Sequence, residues 1–418
     1  MRRDNFSELT TGPLFGQSAT RFTYVIEGIA KAYEPTDTQL KDLDRAYQAT
    51  GDYLRGSPEF ADLLTQVHAH GSRQMGTIVR PIDTAREGFD IDLVAKLKPD
   101  ALYTFSGANG QAELLNRLKS VIARYAAAHD LAVTPWDRCV TLVYAGGMCA
   151  DFVPVIASPS FSVARGEHHG LIPDRKLERY LSTNPKGYCD GFDKIARIKA
   201  NFTTTFALDS IAVDAYKSEL VPLPDATEIL ARLMCRFVQL AKVHRNIAFE
   251  KADEDYVPTS VFLTSLISLA YEQLAPISHS GPLHLFSDIV DMVPKLFQRR
   301  MGGYSNNEWY LKNPFALNDN LAESMNTPQH QEGFERWYIK LRADINQLAL
   351  AINGAAGADS VINVVKSSFG ERAEKSLLEL NSKTREASRL VNRASFFVGG
   401  GASSVSTSAR VHTFFGQS

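Results

Sequence analysis

The sequence contains few cysteines, and none of them lie in a pattern that predicts a bridge or a metal site. The 418 residues include four cysteines, Cys139, Cys149, Cys189 and Cys235. They form no CxxC pair and are too dispersed for a disulfide framework or a zinc finger. We therefore expect free thiols in a reducing compartment.

Long apolar runs are also missing. The most apolar stretch, Val261 to Leu274, is too short and too rich in Ser and Thr to cross a bilayer. Arg2 and Arg3 are not followed by the apolar segment of a secretory signal. These features predict a soluble, cytoplasmic protein that does not associate with membranes.

An excess of charge of either sign is absent as well. The net charge is −2, so the chain has no overall cationic bias of the kind that holds long nucleic acid through its phosphates. We therefore expect no long nucleic acid as a partner. Apolar residues make up 44% of the chain, which suffices for a large core, and the length suits two lobes that share a cleft.

The pattern of elements predicts an α+β fold in which a mixed-sheet lobe precedes a helical lobe. Gly146-Gly147 is typical of a hairpin turn between two strands. In the first part we predict helices at 36–67 and 110–129 and strands at 88–97, 138–144 and 148–157. In the second part we predict helices at 174–182, 190–200, 225–248, 258–275, 285–299, 316–325, 329–353 and 371–392. These patterns divide the chain into an N-terminal region and catalytic lobe (1–170), a helical lobe (171–395) and a flexible Gly/Ser-rich tail (396–418).

Two carboxylates lie two residues apart in the predicted strand Gly88-Phe-Asp-Ile-Asp-Leu-Val. Side chains so spaced share one face of a strand, about 6.5 Å apart at Cα, so Asp90 and Asp92 repel each other unless a cation lies between them. Carboxylate and phosphate oxygens are the ligands that Mg²⁺ prefers. Taken alone, the pair is a weak motif and better fits a solvated strand face.

Two further signals flank this pair. Gly71-Ser72 follows an apolar segment, and such a turn can present backbone N–H groups and a hydroxyl to a phosphate, although an ordinary tight turn has the same sequence. Asp151 lies inside an apolar strand after the predicted hairpin, where an aspartate needs a partner. It is either a hydrogen-bonded core aspartate or a third metal ligand that helps to deprotonate a hydroxyl.

The order of these signals is more specific than any one of them. Gly-Ser, then Asp-x-Asp on a strand, then Asp on a later strand resembles the nucleotidyltransferases built like DNA polymerase beta. The spacing from Gly-Ser to Asp90 is longer than in their commonest form, through an insert at residues 80–87. The stretches GSRQMGTIVRP, GFDIDLVAKL and CADFVPVIA resemble a narrower group, the cGAS/DncV-like nucleotidyltransferases (CD-NTases) of bacterial anti-phage (CBASS) signalling.

Later blocks extend this resemblance over about residues 60 to 345. They are TNPKGY from Thr183, LAKVHR from Leu240, PTSVFLTSL from Pro258 and, more loosely, the segment around Asn313-Pro314. The family's usual Lys-Arg-His-Arg reads Lys242-Val-His-Arg here, and its Ile-Ser-Ile reads Thr-Ser260-Val.

The resemblance implies a two-lobed fold like DNA polymerase beta and a role for seven residues. Asp90 and Asp92 would hold two Mg²⁺ ions, for which Mn²⁺ can substitute, and Asp151 would bind the catalytic ion and orient the acceptor hydroxyl. The triphosphate of the NTP would be held by Gly71 and Ser72 from one side and by Lys242 and Ser260 from the other. A solvated helix lysine and an N-terminal helix cap are the structural alternatives for Lys242 and Ser260.

The function implied is synthesis of a cyclic di- or trinucleotide second messenger from NTPs. A linear oligonucleotide synthase or tail-adding enzyme is the alternative, and an interaction protein without turnover is a third hypothesis. The family resemblance also implies a regulatory or conjugating protein at the C-terminal tail. For His168-His169, flanked by glycines, we predict an exposed loop.

Overall fold

A computed structural model describes the chain from residue 15 to residue 398, with internal gaps. The described ranges are 15–82, 90–144, 148–158, 168–203, 230–250, 256–301, 307–316, 319–354 and 357–398. The predicted turn at Gly146-Gly147, most of the insert at 80–87 and the tail from residue 399 lie outside them.

A seven-stranded mixed sheet forms the framework of one lobe. The strands pair in the order β1-β2-β5-β4-β3, and β6 pairs with both β5 and β7. Only β2 and β5 are parallel within this sheet; the other pairs are antiparallel. The strands are β1 Leu64–His70, β2 Asp90–Leu97, β3 Ala132–Pro135, β4 Val140–Val143, β5 Cys149–Ala157, β6 Gly170–Asp174 and β7 Arg179–Thr183.

Helices make up most of the remaining described chain. They are α1 Phe15–Tyr33, α2 Asp37–Gly56, α3 Gly71–Gln74, α4 Ala101–Thr104, α5 Gly110–Ala128, α6 Pro185–Ala196, α7 Leu233–Ala248, α8 Ser260–Leu274, α9 Pro282–Met292, α10 Pro328–Asn353 and α11 Gly357–Val398. Two minor strand pairs accompany them, β8 Asn201–Phe202 with β9 Ser278–His279, and β10 Gln298–Arg300 with β11 Glu308–Tyr310.

Two hydrophobic cores result. In the first, α2 and α5 cover the sheet with an apolar stripe that includes Leu43, Leu114 and Leu118, all inaccessible or nearly so. In the second, α1 packs with the helices that follow β7. The division of cores therefore does not follow a cut at residue 170, because α1 contributes to the helical core and the sheet continues to Thr183.

A buried ion pair explains why α1 belongs to the helical core. The Arg236 guanidinium on α7 donates two hydrogen bonds to Glu27 on α1, from Nε at 2.8 Å and from Nη2 at 2.9 Å. Both side chains are almost completely buried. Removing one partner of such a pair leaves an uncompensated buried charge, which costs about 3–5 kcal/mol, so substitution of either residue alone should destabilise the packing of α1 on α7.

Segment 75–82, which leads from α3 toward β2, runs across the helical lobe. Side chains from α7 and α11 hold its backbone: Cys235 bonds the Met75 carbonyl, Gln239 the Ile78 carbonyl, and Arg372 the carbonyls of both Pro81 and Ile82. The chain therefore contacts the helical lobe immediately before it returns to the sheet at Asp90.

Several predicted elements match the structure, and four predictions were wrong. Helix 110–129 and the antiparallel pairing of β4 with β5 are confirmed. The predicted helix 36–67 ends at Gly56, just before Ser57-Pro58, and its last residues belong to β1. The predicted helix 174–182 is the β6–β7 hairpin, where strand pairing overrides helix propensity. In place of the predicted helices 285–299 and 316–325, the structure has the shorter helix α9 and a short turn at Glu323–Met325.

Within the described ranges, the structure contains no helix that is both long enough and apolar enough to span a membrane.

Candidate active site

The three predicted carboxylates lie on two neighbouring strands. In the parallel β2–β5 pair, Asp92 is in register with Asp151, and Asp90 is in register with Cys149. Residues in register on adjacent strands lie about 4.8 Å apart and point to the same face. The fold therefore collects Asp90, Asp92 and Asp151 on one face at the start of both strands.

This arrangement concentrates negative charge on one face of the sheet. Burial raises the pKa of Asp92, the neighbouring Asp151 raises it further, and Lys242 lowers it. The same charges act on two thiols on this face. Burial, Asp151 and Asp92 raise the pKa of Cys139 to about 12. Burial, Asp90 and Asp151 raise that of Cys149 to about 11, so both thiols stay protonated at neutral pH.

Gly71 makes a close contact with this carboxylate cluster. Its backbone adopts φ +58°, and a Cβ built there would lie 2.0 Å from the Asp92 Oδ2 atom. A side chain would therefore be both strained and in collision with Asp92. Ser72 follows in α3, and its carbonyl accepts a hydrogen bond from the Thr77 N–H at 2.9 Å, which closes the turn.

The opposite wall of the site comes from the helical lobe and is cationic. Lys242 on α7 is only 3% exposed, so the alternative of a solvated helix lysine was wrong. Its Nζ donates to the Thr77 carbonyl at 3.2 Å and to the Thr77 hydroxyl at 3.3 Å. Burial lowers the pKa of Lys242 to about 7, with a further decrease from Arg245 and an opposing effect of Asp92.

Ser260 lies on the same wall at the first residue of α8. Thr259, not Ser260, is the N-cap residue, so the alternative of a helix cap at Ser260 was wrong. The Ser260 hydroxyl accepts a hydrogen bond from Arg245 Nη1 at 3.1 Å, and the same nitrogen donates to the Pro258 carbonyl at 2.8 Å. Ser260 itself is exposed, with its hydroxyl next to a guanidinium.

One cleft of about 780 Å³ joins these two walls. All seven residues predicted from the sequence line it: Gly71, Ser72, Asp90, Asp92, Asp151, Lys242 and Ser260. Such a volume lies within the range of small-molecule sites. The structure thus brings together residues separated by up to 189 positions in the chain, from Gly71 to Ser260.

The cleft also includes residues to which the sequence assigned no role. Asn184 caps α6 by accepting a hydrogen bond from the Gly187 N–H, and Tyr188 bonds the Ser265 hydroxyl at 2.7 Å; both line the cleft. The Asn-Pro pair at 184–185 is a helix-start signal that could have located this wall. His169 does not fit the predicted exposed loop, because it is buried and its Nε2 contacts the Ser182 hydroxyl at 2.7 Å.

The carboxylates on this face are the residues that could hold a metal ion. Three carboxylates on one face, with burial and Asp151 raising the pKa of Asp92 more than Lys242 lowers it, would suit a hard divalent cation. In the described part of the chain no three His, Cys, Asp or Glu side chains are close enough, as they stand, to hold a metal ion. A cation bound at this face would offset the repulsion between the carboxylates.

The comparisons with known proteins agree with this geometry. Residues 25–195 match the Second Messenger Oligonucleotide or Dinucleotide Synthetase domain. The cyclic dinucleotide synthase CdnG of Bradyrhizobium diazoefficiens is 29% identical over 245 residues, which are 55% of this chain and 54% of that protein. The chain thus aligns with about half the length of this curated relative.

Solved structures share the fold over most of the chain. The structure of B. diazoefficiens CdnG in complex with GTP has a TM-score of 0.58 at 19% identity, and covers 85% of this chain and 97% of that chain. E. coli MS115-1 CdnC with ATP has a TM-score of 0.53 at 15% identity, covering 84% and 97%. CdnC in complex with HORMA also reaches 0.53, at 16% identity, covering 83% and 96%.

The sheet, the cleft and these likenesses show that the chain shares the α+β fold of these solved structures, which is of the DNA polymerase beta type. Within that class, the match of residues 25–195 to the synthetase domain and the likeness to CdnG make the chain similar to the CD-NTase family.

Proposed function

We propose that this protein synthesises a cyclic di- or trinucleotide second messenger from NTPs. The observation that carries the proposal is the register of Asp92 with Asp151 beside Gly71, facing Lys242 across one cleft. The synthetase domain at residues 25–195 supports it, as does the likeness to a cyclic dinucleotide synthase.

Each wall of the cleft has its own part in the proposed reaction. Gly71 and Ser72 hold the donor triphosphate from the sheet side, and Lys242 and Ser260 contact it from the helical side. A ribose hydroxyl attacks the α-phosphorus, the bond from that phosphorus to the bridging oxygen breaks, and pyrophosphate leaves. One further round for a dinucleotide, or two for a trinucleotide, each releasing pyrophosphate, completes the product, and the last round acts within the linear intermediate and closes the ring.

The carboxylates serve the metal ions and the acceptor hydroxyl. Asp90 and Asp92 would hold both magnesium ions, and Asp151 would hold the catalytic one. When bound, the two ions supply positive charge that stabilises the attacking and leaving oxygens. Asp151 orients the acceptor hydroxyl and withdraws its proton as the new bond forms.

We also infer a role in anti-phage signalling, with a regulatory or conjugating protein bound at the tail. E. coli MS115-1 CdnC, which shares the fold, has been solved in complex with HORMA. The tail from residue 399 lies outside the described residues, so this role is supported by the resemblance to that family.

Thin-layer chromatography of radiolabelled products tests the proposed chemistry. The purified protein is incubated with all four labelled NTPs and Mg²⁺ or Mn²⁺, and the products are treated with phosphatase. We expect phosphatase-resistant products from the wild type and none from the Asp90→Asn, Asp92→Asn double variant. Products that are all phosphatase-sensitive would contradict ring closure and indicate a linear synthase. Equal products from both proteins would exclude this site as their source.

A further inference from the structure

Asp151 receives a hydrogen bond that no part of the proposed reaction requires. On β4, Thr141 is in register with Asp151 on β5, and its hydroxyl donates to the Asp151 Oδ1 atom. Thr141 itself is buried. The third carboxylate of the cleft therefore accepts a hydrogen bond from a residue on the neighbouring strand.

A second hydrogen bond fixes the direction of the first. The indole Nε1 of Trp136 lies 2.8 Å from the Thr141 hydroxyl oxygen and donates to it. An indole N–H can only donate, and a hydroxyl has a single proton. Because Trp136 occupies an acceptor position of the hydroxyl, the hydroxyl proton is directed to Asp151.

The position of Trp136 is unusual for a tryptophan. It is 57% exposed, whereas Trp309 and Trp337, the other two in the chain, are at most 2% exposed. The tight turn that connects β3 to β4 places it, through a hydrogen bond from the Trp136 N–H to the Cys139 carbonyl at 2.9 Å. An exposed ring gains less from apolar burial than a buried one, and the indole N–H of this ring is bound to the Thr141 hydroxyl.

We propose that Thr141 and Trp136 form a positioning relay that fixes the orientation of Asp151 for metal binding and nucleotidyl transfer. The proposal rests on the proposed function of the cleft. Neither residue touches substrate in this scheme; both act through Asp151. Partners behind a metal-binding carboxylate typically contribute about 10–100-fold in metal affinity or activity, which sets the expected effect.

The experiment compares four variants of the full chain. Thr141→Val removes the hydroxyl at nearly constant shape, Thr141→Ser keeps it, and Trp136→Phe removes the indole N–H but keeps a ring. Thr134→Val is the matched control, because Thr134 is in register with Thr141 on β3 but is exposed and lies one strand farther from Asp151.

Two measurements distinguish a positioning role of Thr141 and Trp136 from a purely structural role. Mn²⁺ binding is measured by electron paramagnetic resonance, without nucleotide, and kcat and KM are measured with NTPs. For Thr141→Val we expect Mn²⁺ affinity and kcat to fall by about tenfold or more while KM for NTP changes by less than about threefold. Thr141→Ser and Thr134→Val should match the wild type, and Trp136→Phe should lie between Thr141→Val and the wild type.

The outcomes distinguish this proposal from the proposed function. Thr141→Val with wild-type Mn²⁺ affinity and kcat would overturn the relay and leave the function intact. Failure of Thr141→Ser to restore binding would show that packing, not the hydroxyl, matters, and would also overturn it. A Trp136→Phe variant equal to the wild type would remove Trp136 from the relay. A wild type that binds Mn²⁺ but converts no NTP would contradict the proposed function alone.

Discussion

The two walls of the cleft carry opposite charge and are built in different ways. The sheet wall places Asp92 and Asp151 by strand register, within one hydrogen-bonded pair of strands. The helical wall places Lys242 by burying it against Thr77, 165 residues away in the chain. On each wall, burial works against the charged form, raising the pKa of Asp92 and lowering that of Lys242.

Each wall thus buries a charged group that the opposite wall compensates only in part. Burial of a charge costs free energy unless opposite charge compensates it. Metal ions would compensate the sheet wall, and a triphosphate would compensate the helical wall. The predictions below test this contrast one wall at a time.

The largest effect is expected when the sheet wall loses its central charge. Asp92→Asn should lower nucleotidyl transfer by at least about 10³-fold, because metal-borne charge stabilisation of several kcal/mol is lost. The same change should raise the melting temperature of the metal-free protein, since the raised pKa of Asp92 means that its ionised form destabilises the fold at neutral pH. Product chromatography and thermal denaturation measure the two effects.

Asp62→Asn, at an exposed position of the same lobe, is the control for this prediction and should change neither quantity. A lower melting temperature for Asp92→Asn in the absence of metal would show that Asp92 is already compensated. The sheet wall would then not carry an uncompensated negative charge, and the contrast drawn with the helical wall would be wrong.

The next largest loss of activity is expected at the contact between Gly71 in the turn and Asp92 on the sheet wall. Gly71→Ala introduces a Cβ at 2.0 Å from Asp92 Oδ2 in a residue with φ +58°, so the turn or the carboxylate must move. We expect activity to fall about a hundredfold, because displacements of about 1 Å near reacting groups have effects of this size. Gly56→Ala, with nothing within 4 Å of its Cβ, should be near wild type. A fully active Gly71→Ala would show that the close approach is dispensable.

How far the sequence predicted the site also differs between the walls. The shared face of Asp90 and Asp92 follows from the two-residue period of a strand, which is local. The register of Asp151 with Asp92 is not local, because it depends on a parallel pairing across 59 residues that no periodicity encodes. The family resemblance supplied that connection, whereas periodicity and spacing supplied only the separate elements.

The local sequence pattern was less informative about the helical wall and about two elements of the fold, the β6–β7 hairpin and α1. The sequence around Lys242 is compatible with both a solvated and a buried lysine, and only tertiary packing decides between them. The β6–β7 hairpin was predicted as a helix because its residues favour helices, and pairing with β5 overrides that preference. The N-terminal helix α1 was missed, and so was its packing on the helical core through Glu27 and Arg236.

The smallest of these effects is expected on the helical wall. Lys242→Met should raise KM for NTP by roughly 10–100-fold with less change in kcat, since a hydrogen bond to a charged group contributes about 1.5–3 kcal/mol.

The nucleotide-free Lys242→Met variant should also be more stable than the wild type at pH 7. The pKa of Lys242 is about 7 in the folded protein against a usual 10.5, so the unfolded chain binds a proton that the folded chain loses between these values. Stability of the wild type should therefore rise from pH 7 toward pH 10 relative to Lys242→Met. Urea denaturation across this range measures the difference, and Lys295→Met, at an exposed position, should follow the wild type. If Lys242→Met and the wild type show parallel pH dependence, Lys242 is charged and compensated within the protein, and the helical wall does not require the triphosphate to complete it.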